Sequence, residues 1–283
     1  MLEMLSYPFI QRALIVGTLV SLCSALLGVN LVLKRYSMIG DGLSHVAFSA
    51  MAVATVMNWA PLTVAIPVVI VASFLLLRLS GNSKIKGDSA IALVSTGALA
   101  IGIFIISMRS GINTDINNYM FGSVLAISKS DVALSVVLSL IVLVLYVLFY
   151  NKIFAVTFDE PFARATGIRV EFYNMLIAVL TAVTIVLGMR MIGALLISSL
   201  IIFPAMSSMR LFKCFRSVVI CSAVISVVCF FSGVAVSYEY SAPTGASVVI
   251  MNIAVFAVFC LIDYLRGKLA ANEFSLSSII KLK

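Results

Sequence analysis

Residues 132–150 read VALSVVLSLIVLVLYVLFY, and they run from Asp131 to Asn151 and Lys152 without a charged side chain. At about 1.5 Å per residue such a helix covers nearly the ~30 Å hydrocarbon core of a bilayer. The same kind of run recurs along the chain, giving nine candidate spans at about 10–33, 36–57, 61–79, 88–108, 131–150, 172–189, 191–210, 216–237 and 246–265. Several ends carry local signals. Pro61 follows the interfacial pair Asn58-Trp59, Asp88 and Asp131 can cap the spans they open, and Gly188, Gly193 and Pro204 interrupt the sequence around the seventh. Only a lipid environment suits a chain that is 63% apolar and 11% charged, so an all-α polytopic membrane protein with about eight or nine transmembrane helices is expected.

The basic residues orient these spans. Fifteen of the nineteen Lys and Arg follow odd-numbered spans, beginning with Lys34 and Arg35 and ending with Arg266, Lys268, Lys281 and Lys283. By the positive-inside rule the N-terminus is expected outside and the C-terminus in the cytoplasm. The formal charge of +8 is thus a topology signal and not a nucleic-acid patch. The segment 1–11 has neither a basic region nor a cleavage signature, so the first span is expected to direct insertion. Residues 1–265 read as one transmembrane domain and 266–283 as a cytoplasmic tail. No glycine loop of the G-x-x-x-x-G-K-S/T type is present, so any ATP must be bound by another chain. The five cysteines are scattered without a Cys-x-x-Cys pair and read as packing residues.

The sharpest chemical feature is Gly40-Asp41-Gly42-Leu43-Ser44-His45, which contains the only histidine. Asp41 and His45 are four apart and share a helix face. With a helix start near Tyr36, His45 lies about 14 Å in, close to the midplane. A carboxylate that deep is costly and is expected to face a bundle interior, a water-filled path or an ion. The pair suits a divalent metal, a proton relay or a structural hydrogen bond, and spacing alone leaves all three open. One helix supplies two ligands where a closed site takes about four; a two-fold dimer would supply two Asp and two His.

The stretch Phe158-Asp159-Glu160-Pro161-Phe162-Ala163-Arg164-Ala165-Thr166-Gly167 lies on the cytoplasmic side. Asp159 is a natural N-cap, Pro161 fits the first turn and Gly167 a C-cap. That describes a short helix over 158–167, either a plain connector or a docking element. Three further stretches stand out: the block from Gly193 to Ala205 with Pro204 inside it, the turn Ser241-Ala242-Pro243-Thr244-Gly245-Ala246, and the polar, aromatic outer segment 114–123.

In order and spacing these five stretches resemble the integral-membrane permease of the ABC transporters that import zinc, manganese or iron, over about residues 5–265. Glycine at 42 is smaller than the residue usual there. The resemblance implies a homodimer on two cytoplasmic ATPase subunits in the cytoplasmic membrane, an extracytoplasmic solute-binding protein that delivers the ion, and alternating access. It implies metal coordination by Asp41 and His45, and ATPase coupling through Phe158, Asp159, Glu160, Ala163, Arg164 and Gly167. Gly193, Pro204, Pro243 and Gly245 become structural or gating candidates. It calls for no permanently bound cofactor and for no enzymatic site on this chain. Imidazole tilts the expected cargo slightly to zinc over manganese. A self-sufficient secondary metal or proton-coupled transporter is the alternative, but it predicts more intramembrane acids or histidines than this pair. A single histidine excludes a His-Glu-x-x-His metalloprotease, and no Gly-x-Ser-x-Gly serine is present.

Overall fold

The computed structural model describes residues 8–82, 87–108 and 129–280, so the outer segment 114–123 lies outside the described residues. Among them the chain forms eleven helices and no strand: α1 (Pro8–Leu33), α2 (Ile39–Val56), α3 (Pro61–Asn82), α4 (Gly87–Ser107), α5 (Lys129–Leu148), α6 (Tyr150–Phe158), α7 (Glu160–Ala165), α8 (Val170–Ile192), α9 (Ala194–Leu211), α10 (Phe215–Tyr240) and α11 (Thr244–Ile280). Eight are long and apolar enough to cross a membrane, and α9 carries a shorter apolar stretch, Ile197–Leu211. Each of the nine expected spans is therefore a separate helix.

Burial sorts the helices into layers. About 70% of the membrane-length window of α1, α2 and α8 is buried within the chain, against 22% for α5 and α11. A helix that is apolar all round but buried on one side only presents the other to lipid. Exposed leucine, isoleucine and valine on α3, α4, α5 and α11 supply that outer surface. The central α1 packs on α5, α8, α9 and α10, while α2 sits against α3 and α4. Serines knit α10 to α1: Ser226 Oγ donates to the Ser21 carbonyl at 2.9 Å and Ser222 Oγ to that of Ala25 at 3.4 Å. In a lipid-embedded bundle such small polar contacts and close packing take the place of hydrophobic burial.

The expected boundaries change in two places, each for a local reason, and one helix outruns its span. The second span starts at Ile39 rather than near Tyr36, because α1 ends in a tight reversal. Arg35 adopts φ 61°, its N–H reaches the Val32 carbonyl, and the Tyr36 N–H reaches that of Leu31. This is the Schellman arrangement, with an arginine in the left-handed position where glycine is usual. The fifth span ends at Leu148, and α6 follows at once, so Phe158 closes α6 and does not open the short helix expected over 158–167. The last span ends where expected, its membrane-length apolar stretch running over Thr244–Arg266, while the helix itself continues unbroken to Ile280.

The interruption read at residue 193 is real. Gly193 has φ 101° and ψ 155°, terminating α8 and starting α9 in a conformation that L side chains rarely adopt. Pro204 lies inside α9, as does Pro67 inside α3. Pro243 precedes α11, where its carbonyl accepts the Ser247 N–H at 3.1 Å, and Gly245 is buried in the first turn.

Candidate functional site

Asp41 lies in the first turn of α2 and His45 one turn on, with Oδ2 and Nε2 3.6 Å apart. That is too long for a good hydrogen bond. It is close to the ~3.4 Å that separates two donors each about 2.1 Å from a tetrahedral ion. His45 is nearly enclosed, at 12% side-chain exposure, and its Nδ1 is buried with no hydrogen-bond partner. The Asp41 side chain is 37% exposed, so the pair has an open side. Among the described residues no third His, Cys, Asp or Glu joins them to make a metal-holding group. One copy of the chain therefore supplies two such donors among the described residues.

The later start of α2 puts His45 about 9 Å along the helix instead of 14 Å. That start is itself inside the bundle. Ile39, Leu43 and Ser44 are buried, and Gly40 rests against Ser198 and Ile201 of α9. Ile39 also lines a small cavity with Thr181, seven residues up α8 from Asn174. Gly42 has a packing role: a Cβ there would lie 2.8 Å from Cγ2 of the buried Ile91. The small residue beside Asp41 thus lets α4 come close to α2, and does not merely loosen the helix.

The second expected element forms as a helix over Glu160–Ala165, shorter than 158–167. The Asp159 side chain accepts the Phe162 N–H at 2.9 Å, as an N-cap should. At the other end Gly167 takes φ 82°, with its N–H on the Arg164 carbonyl and the Ile168 N–H on that of Ala163. Ala163, fully buried, packs with Val156 of α6 and Val170 of α8 in a small cluster apart from the main core. Phe162 of this helix and Phe158, the last residue of α6, are exposed at 62% and 57%. Arg164 bonds to Glu171 at 2.7 Å, with both side chains largely exposed.

Glu160 faces the bundle instead. Its Oε1 accepts from Lys34 Nζ at 2.7 Å and from Asn174 Nδ2 at 3.1 Å, and Lys34 also donates to Asn174 Oδ1. Partial burial pushes the Glu160 carboxyl upward. The Lys34 and Asn174 hydrogen bonds, with the Lys34 and Arg164 charges, outweigh that and hold it below its ordinary 4.5. A carboxyl depressed on folding stabilises the packed position of this helix above its unfolded-state value and stops doing so as pH falls through its folded-state value. Amide exchange over residues 160–167, corrected for intrinsic rate, is therefore expected to accelerate on acidification below about pH 4.5. Glu160→Gln should remove that pH dependence; an unchanged profile in the variant would contradict the assignment.

Spacing along the chain gave no sign of this cluster, because Lys34 and Glu160 are 126 residues apart. One turn below Lys34, buried Asn30 donates from Nδ2 to Tyr146 Oη at 2.9 Å and accepts from Thr157 Oγ1 at 3.1 Å. Asparagine four before lysine at a helix end is the only sequence hint of that network. Near the opposite end of the bundle Arg190 pairs with Asp131 at 2.7 Å, tying α8 to α5, where Asp131 had been read only as a cap.

Three comparisons bear on this architecture. Residues 6–263 match the model of the ABC 3 transport family. A manganese transport system membrane protein of Halalkalibacterium halodurans is 29% identical over 98% of this chain and 97% of its own length. A high-affinity zinc uptake system membrane protein of Haemophilus influenzae is 28% identical over 89% and 97%. Among solved structures, PsaBC from Streptococcus pneumoniae in complex with Fab superposes with a TM-score of 0.80 at 27% identity, covering 89% of this chain and 91% of that one. The helical bundle, the capped helix between α6 and α8, and a family match over nearly the whole length agree: the chain belongs to the ABC 3 transport family and is a metal-transport ABC permease.

Proposed function

We propose that this chain is the permease subunit of an ATP-driven importer that carries a divalent transition-metal ion across the cytoplasmic membrane by alternating access. The observation that carries the reading is the Asp41–His45 pair, with its nearly enclosed imidazole, an unpartnered ring nitrogen and no third His, Cys, Asp or Glu beside it among the described residues. Two copies related by a two-fold axis complete the set with two carboxylates and two imidazoles, and water fills any remaining positions. Family membership supports a separate ATPase on the cytoplasmic side, seated against Phe162 and Arg164 of the capped helix and Phe158 at the end of α6, and a solute-binding protein outside. With the odd set of spans and the basic residues at their odd-numbered ends, the N-terminus lies outside and the C-terminus in the cytoplasm.

Relatives named for manganese and for zinc both match this chain, and a carboxylate–imidazole pair accepts either ion. Competition in ATP-driven uptake by the reconstituted complex separates them. The imidazole's share of the donor set favours zinc, so excess zinc is expected to suppress labelled manganese uptake more strongly than the reverse. Stronger inhibition by manganese reverses the preference. Uptake insensitive to both ions would contradict the metal site itself.

A further inference from the structure

We propose that Lys34 is the positioning residue that passes movement of the docking helix to the metal pair. This rests on the docking reading given above for α7. The side chain of Lys34 is 8% exposed, and its ammonium binds both Glu160 of α7 and Asn174 of α8. Pulling Glu160 away without Lys34 would leave a nearly buried ammonium without its counter-charge, which is strongly disfavoured. A displacement of α7 therefore carries the end of α1 with it.

From Lys34 the chain leads directly to the site. Arg35 and Tyr36 are held by hydrogen bonds to the Val32 and Leu31 carbonyls at 3.1 and 2.8 Å, so the reversal after α1 is a stiff link. Asp41 follows Lys34 by seven residues, and Lys34, Tyr36, Ile39 and Leu43 line one small cavity with Asn174 and Thr181. Asn30, one turn back, bonds to Tyr146 of α5 and Thr157 of α6. The last turn of α1 thus gathers the elements around the docking helix and ends on the segment that starts α2. Lys34 is the ionic member of that junction, and Glu160 its single charged partner among the described residues.

The test uses the whole complex in proteoliposomes and reads ions transported per ATP hydrolysed, with co-purification of the ATPase subunits as the assembly check. Lys34→Met and Glu160→Gln are each expected to lower the ratio by roughly fivefold or more. The double variant should fall no further than the worse single one, because both remove the same contact. A normal ratio in an assembled Lys34→Met complex overturns the proposal, and so do losses that multiply in the double variant. If Lys34→Met fails to assemble, Glu160→Gln decides alone, since it neutralises the same pair at a half-exposed side chain. Phe162→Asp tests docking independently, and loss of the ATPase subunits is expected. If that complex stays assembled and coupled, the docking reading fails whatever Lys34 does. If it falls apart while Lys34→Met remains coupled, docking stands and only the role of Lys34 is overturned.

Discussion

Asp41→Asn, and separately His45→Ala, should lower metal uptake by the reconstituted complex by roughly 100-fold or more, with the complex still assembling. Changing groups that merely support a metal ligand costs about 10- to 100-fold in affinity, and these residues are assigned as the ligands themselves. Asparagine keeps the shape of Asp41 but removes the charge that compensates a divalent ion within the bundle. Alanine at 45 removes the chain's only imidazole. The fold should tolerate both changes. The Asp41 side chain is over a third exposed, and His45 Nδ1 makes no internal hydrogen bond that would be lost. Both variants should bind the ATPase subunits normally and hydrolyse ATP without accumulating metal. Uptake within twofold of the unaltered complex in either variant would sink the site.

The second large effect is expected at Ala163. This residue is fully buried against Val156 and Val170, and it is the apolar anchor of α7, the helix proposed to dock the ATPase. Ala163→Glu places a carboxylate in a cluster with no cation within it. Burying an unpaired charge costs several kcal/mol, so the helix is expected to leave its seat. Because that cluster is separate from the main core, the bundle should stay folded. ATP hydrolysis is then expected to continue with about tenfold or more fewer ions moved per cycle, since only the coupling element is displaced. Unfolding of the bundle would be detected as a lowered Tm. Normal coupling in a stable Ala163→Glu complex would contradict the role given to α7.

Much of this architecture is legible in the sequence because the bilayer imposes strong patterns. Span length and charge placement mark the membrane helices, and the Asp159 and Gly167 caps mark the short helix between α6 and α8. What escaped was fixed by tertiary contacts. The start of α2 was misplaced because a residue with a Cβ, Arg35, takes the left-handed turn that glycine would have signalled. The break at Phe149 was hidden within a continuous apolar stretch. Lys34 was counted among the cations that set topology, yet its ammonium is turned inward onto Glu160. Asp41 and His45 were found together because i, i+4 spacing is visible in a sequence. Ser198 and Ile201, which lie against Gly40 beside them, were not, because α9 reaches that turn only through the fold.

The most direct test of the account is metal accumulation in proteoliposomes by this permease with and without its ATPase subunits. The account predicts ATP-dependent accumulation of zinc or manganese by the complete complex, and none by the permease alone under a proton gradient. Gradient-driven accumulation by the permease alone would contradict it.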